Sequence, residues 1–340
     1  MSDKKKLLYE VSYIRPIVIF LLVFMHSFTK VKNIETSLDD AIIIEPYKWL
    51  INFIRGFRIE TIAFVAGYVF SYQVNDLGRK YDLIPFAKNK FQRLIIPMLF
   101  FSTIYYFMFI FNIQTFTISG YLLSIFSGCG HLWFLPMLFW CFVSIWFFDH
   151  YKLISFKILI LLATLTLLPV FSLPLGFNKL PHFLFYVYSG YYLWLKKSYI
   201  LSFFSTKKRI LLLVLSYILL VIIEEPSFIE LGYYGNYLWK HIIILIKASI
   251  GILSIYTITY NHTSKPNFIP NKTIVNASNI CYGVYIYHQF ILMWLYCHTP
   301  FYDIFGKIWT PLVGFIITSV LSILFTKLTL KTRFGRFLIG

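Results

Sequence analysis

Long apolar stretches are the feature that most restricts how this chain folds. Windows of about 17 to 25 residues, the length that crosses a bilayer as a helix, give about ten predicted spans. Of the 340 residues, 59% are hydrophobic and only 13% are charged, whereas soluble domains carry about a quarter charged residues. The sequence therefore predicts an all-α, polytopic membrane protein. The predicted spans are 11–29, 48–74, 92–111, 131–148, 153–172, 180–196, 210–226, 238–259, 280–297 and 307–329.

The charges between these spans predict an orientation. With the charged segment 1–6 in the cytoplasm, most basic residues fall in cytoplasmic loops and most acidic residues in the opposite ones, as the positive-inside rule requires. Both termini are therefore predicted to be cytoplasmic, in a single transmembrane domain over 1–340. The basic residues of these cytoplasmic loops account for the net charge of +17, so we expect no nucleic-acid partner. The acidic residues concerned are Asp39, Asp40, Glu45, Glu224, Glu225 and Glu230.

The first span carries two residues that are costly inside a bilayer, Arg15 and His26. They lie eleven residues apart, which at about 100° per residue brings both side chains to one helix face. At about 1.5 Å per residue they are roughly 16 Å apart along the axis. Arg15 is predicted near the cytoplasmic surface and His26 in the outer half. Snorkelling of Arg15 to lipid phosphates and an interhelical hydrogen bond of His26 are alternative, structural explanations.

The second span contains Arg55, Arg58 and Glu60 within six residues. On a continuous helix, Arg55 and Arg58 share a face and Glu60 points away from Arg58. Lys247, in the eighth span, is predicted at a depth close to that of Glu60, which makes a Glu60–Lys247 ion pair a hypothesis. Two arginines at such depth need anionic or carbonyl partners, so a purely structural role is the weaker interpretation.

Later spans add further polar side chains. His131 and Trp133 begin the fourth span at the level of His26, and His288 in the ninth is predicted nearer the bilayer centre. A neutral imidazole can take a proton from a hydroxyl, and nearby arginines can bind phosphate or stabilise an oxyanion. The sequence has no Walker A, GxSxG, HExxH or kinase motif. Neither its histidines nor its four cysteines have metal-ligand spacing, so no metal site is predicted.

Five short motifs occur in a recognisable order: Arg15 with His26, Arg55-x-x-Arg58 with Phe64-Val-Ala-Gly67-Tyr68, Arg93-Leu-Ile-Ile-Pro97, His131-Leu-Trp-Phe-Leu135, and Tyr282-Gly-Val-Tyr285-Ile-Tyr287-His288. In these motifs the chain resembles the acyltransferase-3 family of integral membrane proteins, from about Tyr13 to the last helix. The resemblance implies about ten helices around a central cavity in the cytoplasmic membrane. The sequence departs from the family pattern at Ala66, because a serine usually stands before the glycine that follows.

The resemblance also implies a function. Members transfer acyl groups, usually acetyl, from cytoplasmic acyl-CoA to sugar hydroxyls of surface polysaccharides. His26 would be the catalytic histidine, acting as general base or as transient acyl carrier. Arg15 would assist the donor or its phosphates, and Arg55 with Arg58 would match the essential arginine pair. Glu60, His131, Trp133, Lys247 and His288 are candidate accessory residues.

The implied partners are acyl-CoA as co-substrate, a surface or lipid-linked glycan, and membrane lipids, with no bound cofactor. We expect no fused esterase-like domain, which some family members use to complete transfer, so a separate extracytoplasmic protein that accepts the acyl group is a further candidate partner. Two other functions are open from the sequence. One is a polysaccharide exporter or flippase without acyl chemistry, and the other is a structural subunit of a synthase.

Overall fold

The computed structural model describes residues 7–28, 45–168, 175–204, 206–223 and 232–340. The regular structure of these residues is helical, with no strand. π-helical turns at Phe91–Ile95 and Tyr106–Ile110 and 3₁₀ turns at Gly130–Trp133 and Phe177–Lys179 join or extend the α-helices. The α-helices are α1 Tyr9–Ser27, α2 Glu45–Arg55, α3 Arg58–Asn75, α4 Leu83–Lys90, α5 Ile96–Tyr105, α6 Ile118–Ser127, α7 Phe134–His150, α8 Phe156–Leu165, α9 Leu180–Leu195, α10 Lys197–Phe203, α11 Lys207–Ile223, α12 Gly232–Thr263, α13 Lys272–His298, α14 Phe301–Thr329 and α15 Arg333–Ile339.

Six helical stretches of the described residues are long and apolar enough to cross a bilayer. The prediction of an all-α, multi-pass membrane protein is therefore confirmed. The predicted spans 48–74, 153–172, 180–196 and 210–226 correspond to helices that are shorter, interrupted or less apolar, so the count of about ten stays a prediction. The six stretches are Tyr9–Ser27, Leu83–Ile110, Gly130–His150, Gly235–Thr263, Lys272–His298 and Ile308–Thr329.

The predicted orientation of the termini also stays a prediction. Some of the charges on which it depends lie outside the described residues. These are the segment 1–6, the loop acids Asp39 and Asp40, and Glu224, Glu225 and Glu230.

The second predicted span is not one continuous helix. α2 ends at Arg55 and α3 begins at Arg58, with Phe57 in a non-helical conformation at φ −143°, ψ −11°. A Cβ atom on Gly56 would lie 2.5 Å from Cε of Lys247, so α12 packs directly against the backbone at this break. The expectation that Arg55 and Arg58 share one face of a single helix is therefore wrong, because tertiary packing interrupts the helix between them.

α1 and α13 run side by side in the same direction. The backbone N–H of Asn271, before α13, donates to the hydroxyl of Tyr13 near the start of α1, at 3.1 Å. At the other end, the hydroxyl of Tyr296 donates to a backbone carbonyl in the last turn of α1. Arg15 and His26 lie toward opposite ends of α1, so we call the two ends of the helix bundle the Arg15 side and the His26 side.

α3 and α9 pack with their backbones in contact. A Cβ atom on Gly67 would lie 1.8 Å from the carbonyl oxygen of Val187, and one on Gly190 would lie 2.0 Å from that of Phe64. Only glycine permits an approach this close. Both helices begin on the His26 side, so this contact brings their first turns together.

A buried polar network joins α1, α3 and α10 on the Arg15 side. Oε1 of Glu10 accepts hydrogen bonds from the Tyr68 hydroxyl at 2.8 Å and from Nζ of Lys197 at 3.0 Å. The Tyr68 hydroxyl also lies 3.0 Å from that of Tyr256 on α12. Because a buried carboxylate is costly without such partners, this network holds the start of α1 in register with α3.

Candidate active site

Three histidines from three separate elements meet on the His26 side. α1 contributes His26, the 3₁₀ turn before α7 contributes His131, and α13 contributes His288. The ring centroid of His288 lies 5.2 Å from that of His26 and 4.7 Å from that of His131. His288, predicted nearer the bilayer centre, thus lies beside the other two. Over the described residues, no group of three histidine, cysteine or acidic side chains is arranged to hold a metal ion.

Hydrogen bonds to the backbone orient two of these imidazoles. Nε2 of His131 lies 3.1 Å from the carbonyl oxygen of Ile286, and Nδ1 of His288 lies 2.7 Å from that of Tyr285. A carbonyl oxygen only accepts, so these two nitrogens carry the ring proton. Nδ1 of His131 and Nε2 of His288 are buried with no hydrogen-bond partner. In the neutral rings, each is therefore a free proton acceptor.

A small cavity of about 30 Å³ lies against His26, and we call it the histidine chamber. His26, His131 and Trp133 form its polar wall, and Leu22, Ile59 and Ile62 its aliphatic wall. About 10 to 15 Å³ holds one water molecule, so the chamber accommodates roughly two groups of that size. A catalytic histidine in this chamber can contact a small reacting group but not a large one.

A larger cavity of about 460 Å³ lies on the Arg15 side, and we call it the cationic cavity. Arg15, Lys90 and Arg93 line it, and none of the described residues in its wall is acidic. Nη2 of Arg93 also donates to the main-chain oxygen of Gly340 at 3.1 Å, and the end of α15 forms part of the wall. Three cationic side chains with no acidic side chain in the wall make this cavity suited to an anion with several phosphates.

The two cavities adjoin each other. Ile62, Phe134 and Tyr285 line both, so a single layer of side chains separates the cationic cavity from the histidine chamber. The Tyr285 hydroxyl donates to the backbone carbonyl of His131 at 2.5 Å, which holds this layer against the chamber. Arg15 and His26 thus lie in two neighbouring cavities, on the common helix face predicted from their spacing.

The two arginines of the second span occupy different environments. Arg58 is 6% exposed and lies close enough to His26 and His288 to interact electrostatically with both. Arg55 ends α2 and is exposed. The structure thus brings Arg58 to the histidines, and Arg55 interacts electrostatically with Arg58, while the catalytic roles assigned to both arginines stay predictions.

Glu60 makes a contact that the sequence did not reveal, and it is an ion pair only when His182 is protonated. Its Oε1 lies 3.5 Å from Nε2 of His182, on the first turn of α9. Lys247 is buried against Gly56, and its proposed pairing with Glu60 stays a prediction. His182 was missed because a single histidine in an apolar span has no motif that distinguishes it.

Lys90 and Lys179 are further cations that the sequence analysis did not select as site residues. Lys90 is one of the basic residues that the predicted topology places in a cytoplasmic loop, yet it lines the cationic cavity. Lys179 lies just before α9 with its Nζ 3.3 Å from the ring centroid of Trp133, a cation–π contact at the edge of the histidine chamber. Burial lowers the pKa of Lys179 from its ordinary value, because it disfavours the charged form.

Comparison with known proteins agrees with this architecture. The family model described as an acyltransferase domain, acyltransferase-3, matches residues 8–329. Neither the curated proteins nor the solved structures compared with this chain gave a significant match. The matched region contains α1 to α14 and both cavities apart from the α15 wall. The chain therefore belongs to the acyltransferase-3 family.

Proposed function

We propose that this protein is an O-acyltransferase of the cytoplasmic membrane. The donor is acyl-CoA, with acetyl as the acyl group, and it enters from the cytoplasm on the Arg15 side. The acceptor is a sugar hydroxyl of a surface or lipid-linked polysaccharide on the His26 side. One observation carries the proposal: a cavity with three cations and a chamber with the family's histidine share a wall one side chain thick.

The cationic cavity fits the donor in charge and in shape. The phosphates of acyl-CoA match Arg15, Lys90 and Arg93, since guanidinium groups bind phosphate through paired hydrogen bonds. Arg15 and His26 are roughly 16 Å apart along α1, a length that an extended pantetheine arm spans. To reach His26, the acyl end must displace at least one side chain of the wall formed by Ile62, Phe134 and Tyr285.

The proposed reaction is a direct acyl transfer. His26 accepts the proton of the sugar hydroxyl, and the hydroxyl oxygen attacks the carbonyl carbon of the thioester. The carbon–sulfur bond then breaks, and the departing sulfur takes the proton back from His26. The products are a sugar ester and free CoA thiol. Arg58, which interacts electrostatically with His26, stabilises the negative oxygen of the tetrahedral intermediate.

Replacement of His26 tests this assignment. In proteoliposomes supplied with labelled acetyl-CoA, His26→Ala and His26→Gln should reduce acetyl transfer by about 10² to 10⁴-fold, the usual contribution of a general base. His150→Ala is the matched control, because His150 is exposed and stacks on Trp146 away from both cavities.

Two results would contradict the proposal. Full activity of folded His26 variants would remove His26 from the mechanism. Lost polysaccharide export with unchanged glycan chemistry, judged by the absence of an alkali-sensitive mass shift, would favour the exporter hypothesis.

A further inference from the structure

Four polar residues form a group beside the histidine chamber that the reaction above does not fully use. We call Arg58, Glu60, His182 and Tyr186 the Glu60 cluster. His182 and Tyr186 are one turn apart on α9, with ring centroids 5.1 Å apart, and His182 pairs with Glu60 on α3. Glu60 in turn interacts electrostatically with Arg58 and with the Tyr186 hydroxyl.

The close packing of α3 on α9 creates this cluster. Glu60 and Gly67 are seven residues apart on α3, and His182 and Gly190 are eight apart on α9, so each pair lies on one helix face. Contact at the two glycines therefore directs the polar first turns of both helices toward each other.

The cluster is incompletely hydrogen-bonded. Oε2 of Glu60, the hydroxyl of Tyr186 and Nε of Arg58 are buried and have no hydrogen-bond partner. The Tyr186 side chain is 0% exposed. A buried polar atom without a partner costs about 1 to 3 kcal/mol, and native proteins retain few of them. Three such atoms in one cluster indicate a place where a ligand completes the hydrogen bonds.

The position of the cluster suits a ligand that enters from the His26 side. The side chain of His182 is 27% exposed, that of Glu60 14%, and Tyr186 lies beneath them. Ile59, which precedes Glu60 on α3, lines the histidine chamber. The cluster thus lies between the partly exposed His182 side chain and the wall of the histidine chamber.

The composition of the cluster indicates which kind of ligand it binds. Arg58 and Glu60 are opposite charges, unlike the three cations of the other cavity, so a neutral ligand is favoured over an anion. A carboxylate accepts hydrogen bonds, a guanidinium donates them, and a tyrosine hydroxyl does both. Neighbouring hydroxyl groups on a sugar ring, each of which donates and accepts, match this set.

We infer that Glu60, His182 and Tyr186 form the acceptor-binding site, which holds a neutral sugar through its ring hydroxyls with one hydroxyl directed toward His26. This inference rests on the proposed acyl transfer, and it assigns the acceptor to residues of α3 and α9. Tyr186 and Glu60 bind the acceptor and take no part in binding the donor.

The test separates acceptor binding from donor binding. Purified protein in proteoliposomes is given acetyl-CoA with methyl β-glucoside or methyl N-acetyl-β-glucosaminide as the probe acceptor, and the KM of each substrate is measured. Tyr186→Phe should raise the acceptor KM about threefold to tenfold and Glu60→Gln about tenfold to a hundredfold, as expected for neutral and charged hydrogen bonds. The KM for acetyl-CoA should not change.

Two controls exclude a merely structural effect. Tyr192→Phe removes a hydroxyl from the same helix toward its other end and should change neither KM. Tyr186→Phe should also melt no lower than the wild type, because the hydroxyl that it removes has no partner in the free protein.

The possible results distinguish failure of the acceptor site from failure of the proposed function. Unchanged acceptor KM in both variants, or an equal rise in the KM for acetyl-CoA, overturns the acceptor site. Hydrolysis of acetyl-CoA by the wild type without transfer to either glycoside overturns the assignment of a neutral sugar. If the wild type neither binds nor consumes acetyl-CoA, the proposed function fails. Calorimetric titration with the two glycosides then tests the cluster alone, and binding that Tyr186→Phe does not weaken overturns it.

Discussion

The change Ile59→Val removes one methylene from the aliphatic wall of the histidine chamber. The chamber has a volume of about 30 Å³, enough for about two water-sized groups, so under the proposed acyl transfer we expect it to favour acetyl over longer acyl chains. One additional methylene in a hydrophobic pocket changes substrate discrimination by about 1 to 3 kcal/mol, roughly 10-fold to 200-fold. We therefore expect the wild type to prefer acetyl-CoA to propionyl-CoA by at least about tenfold.

The valine variant should narrow that preference. The space it opens accommodates the one carbon by which propionyl exceeds acetyl, and burial of a methylene contributes about 0.8 kcal/mol, which corresponds to about fourfold. The expected cost in stability is about 0.5 to 1.5 kcal/mol, typical of Ile→Val, so the variant should fold. The assay measures CoA thiol release and compares kcat/KM for the two donors.

The control for this change is Ile14→Val. Ile14 is 1% exposed and lines the cationic cavity but not the histidine chamber, so its loss of a methylene should leave the donor preference unchanged. An unchanged preference in Ile59→Val, or an equal shift in Ile14→Val, would refute the idea that the chamber selects the acyl chain.

Three further predictions concern the donor, the helix contact and the buried network. Arg15→Gln should raise the KM for acetyl-CoA about 10-fold or more. The KM for acetyl-pantetheine should not change, because this donor lacks the nucleotide. Gly67→Ala should lower unfolding free energy by about 1 to 3 kcal/mol, because its Cβ meets the Val187 carbonyl at 1.8 Å. Glu10→Gln should lower the melting temperature by weakening the 3.0 Å contact with Lys197. The contradicting results are an unchanged KM for acetyl-CoA in Arg15→Gln, an unchanged unfolding free energy in Gly67→Ala, and an unchanged melting temperature in Glu10→Gln.

The helical class and the first helix could be predicted because both depend on local sequence. Apolar runs of bilayer length favour helices wherever they occur, and the spacing of Arg15 and His26 sets their common face regardless of neighbouring helices. α1 accordingly contains both residues, each facing one of the two cavities.

The interruption between Arg55 and Arg58 could not be predicted in the same way. Gly56 is tolerated within many helices, and the sequence does not reveal that Lys247 packs against it. The pairing of Glu60 with His182 depends in turn on the contact of α3 with α9, between residues more than a hundred positions apart. Such contacts follow from which helices pack together, and hydropathy carries no information on that choice.

The sequence by itself determined that this is a helical membrane protein, that Arg15 and His26 share a helix face, and that its motifs follow those of the acyltransferase-3 family. Only the tertiary structure decided that His131 and His288 join His26, that Lys90 joins Arg15, and that one layer of side chains separates the two groups. The physical reason is the distance along the chain over which each interaction acts. Hydrophobic length and helical periodicity act within one segment, whereas a site is formed by side chains that meet only when separate helices pack.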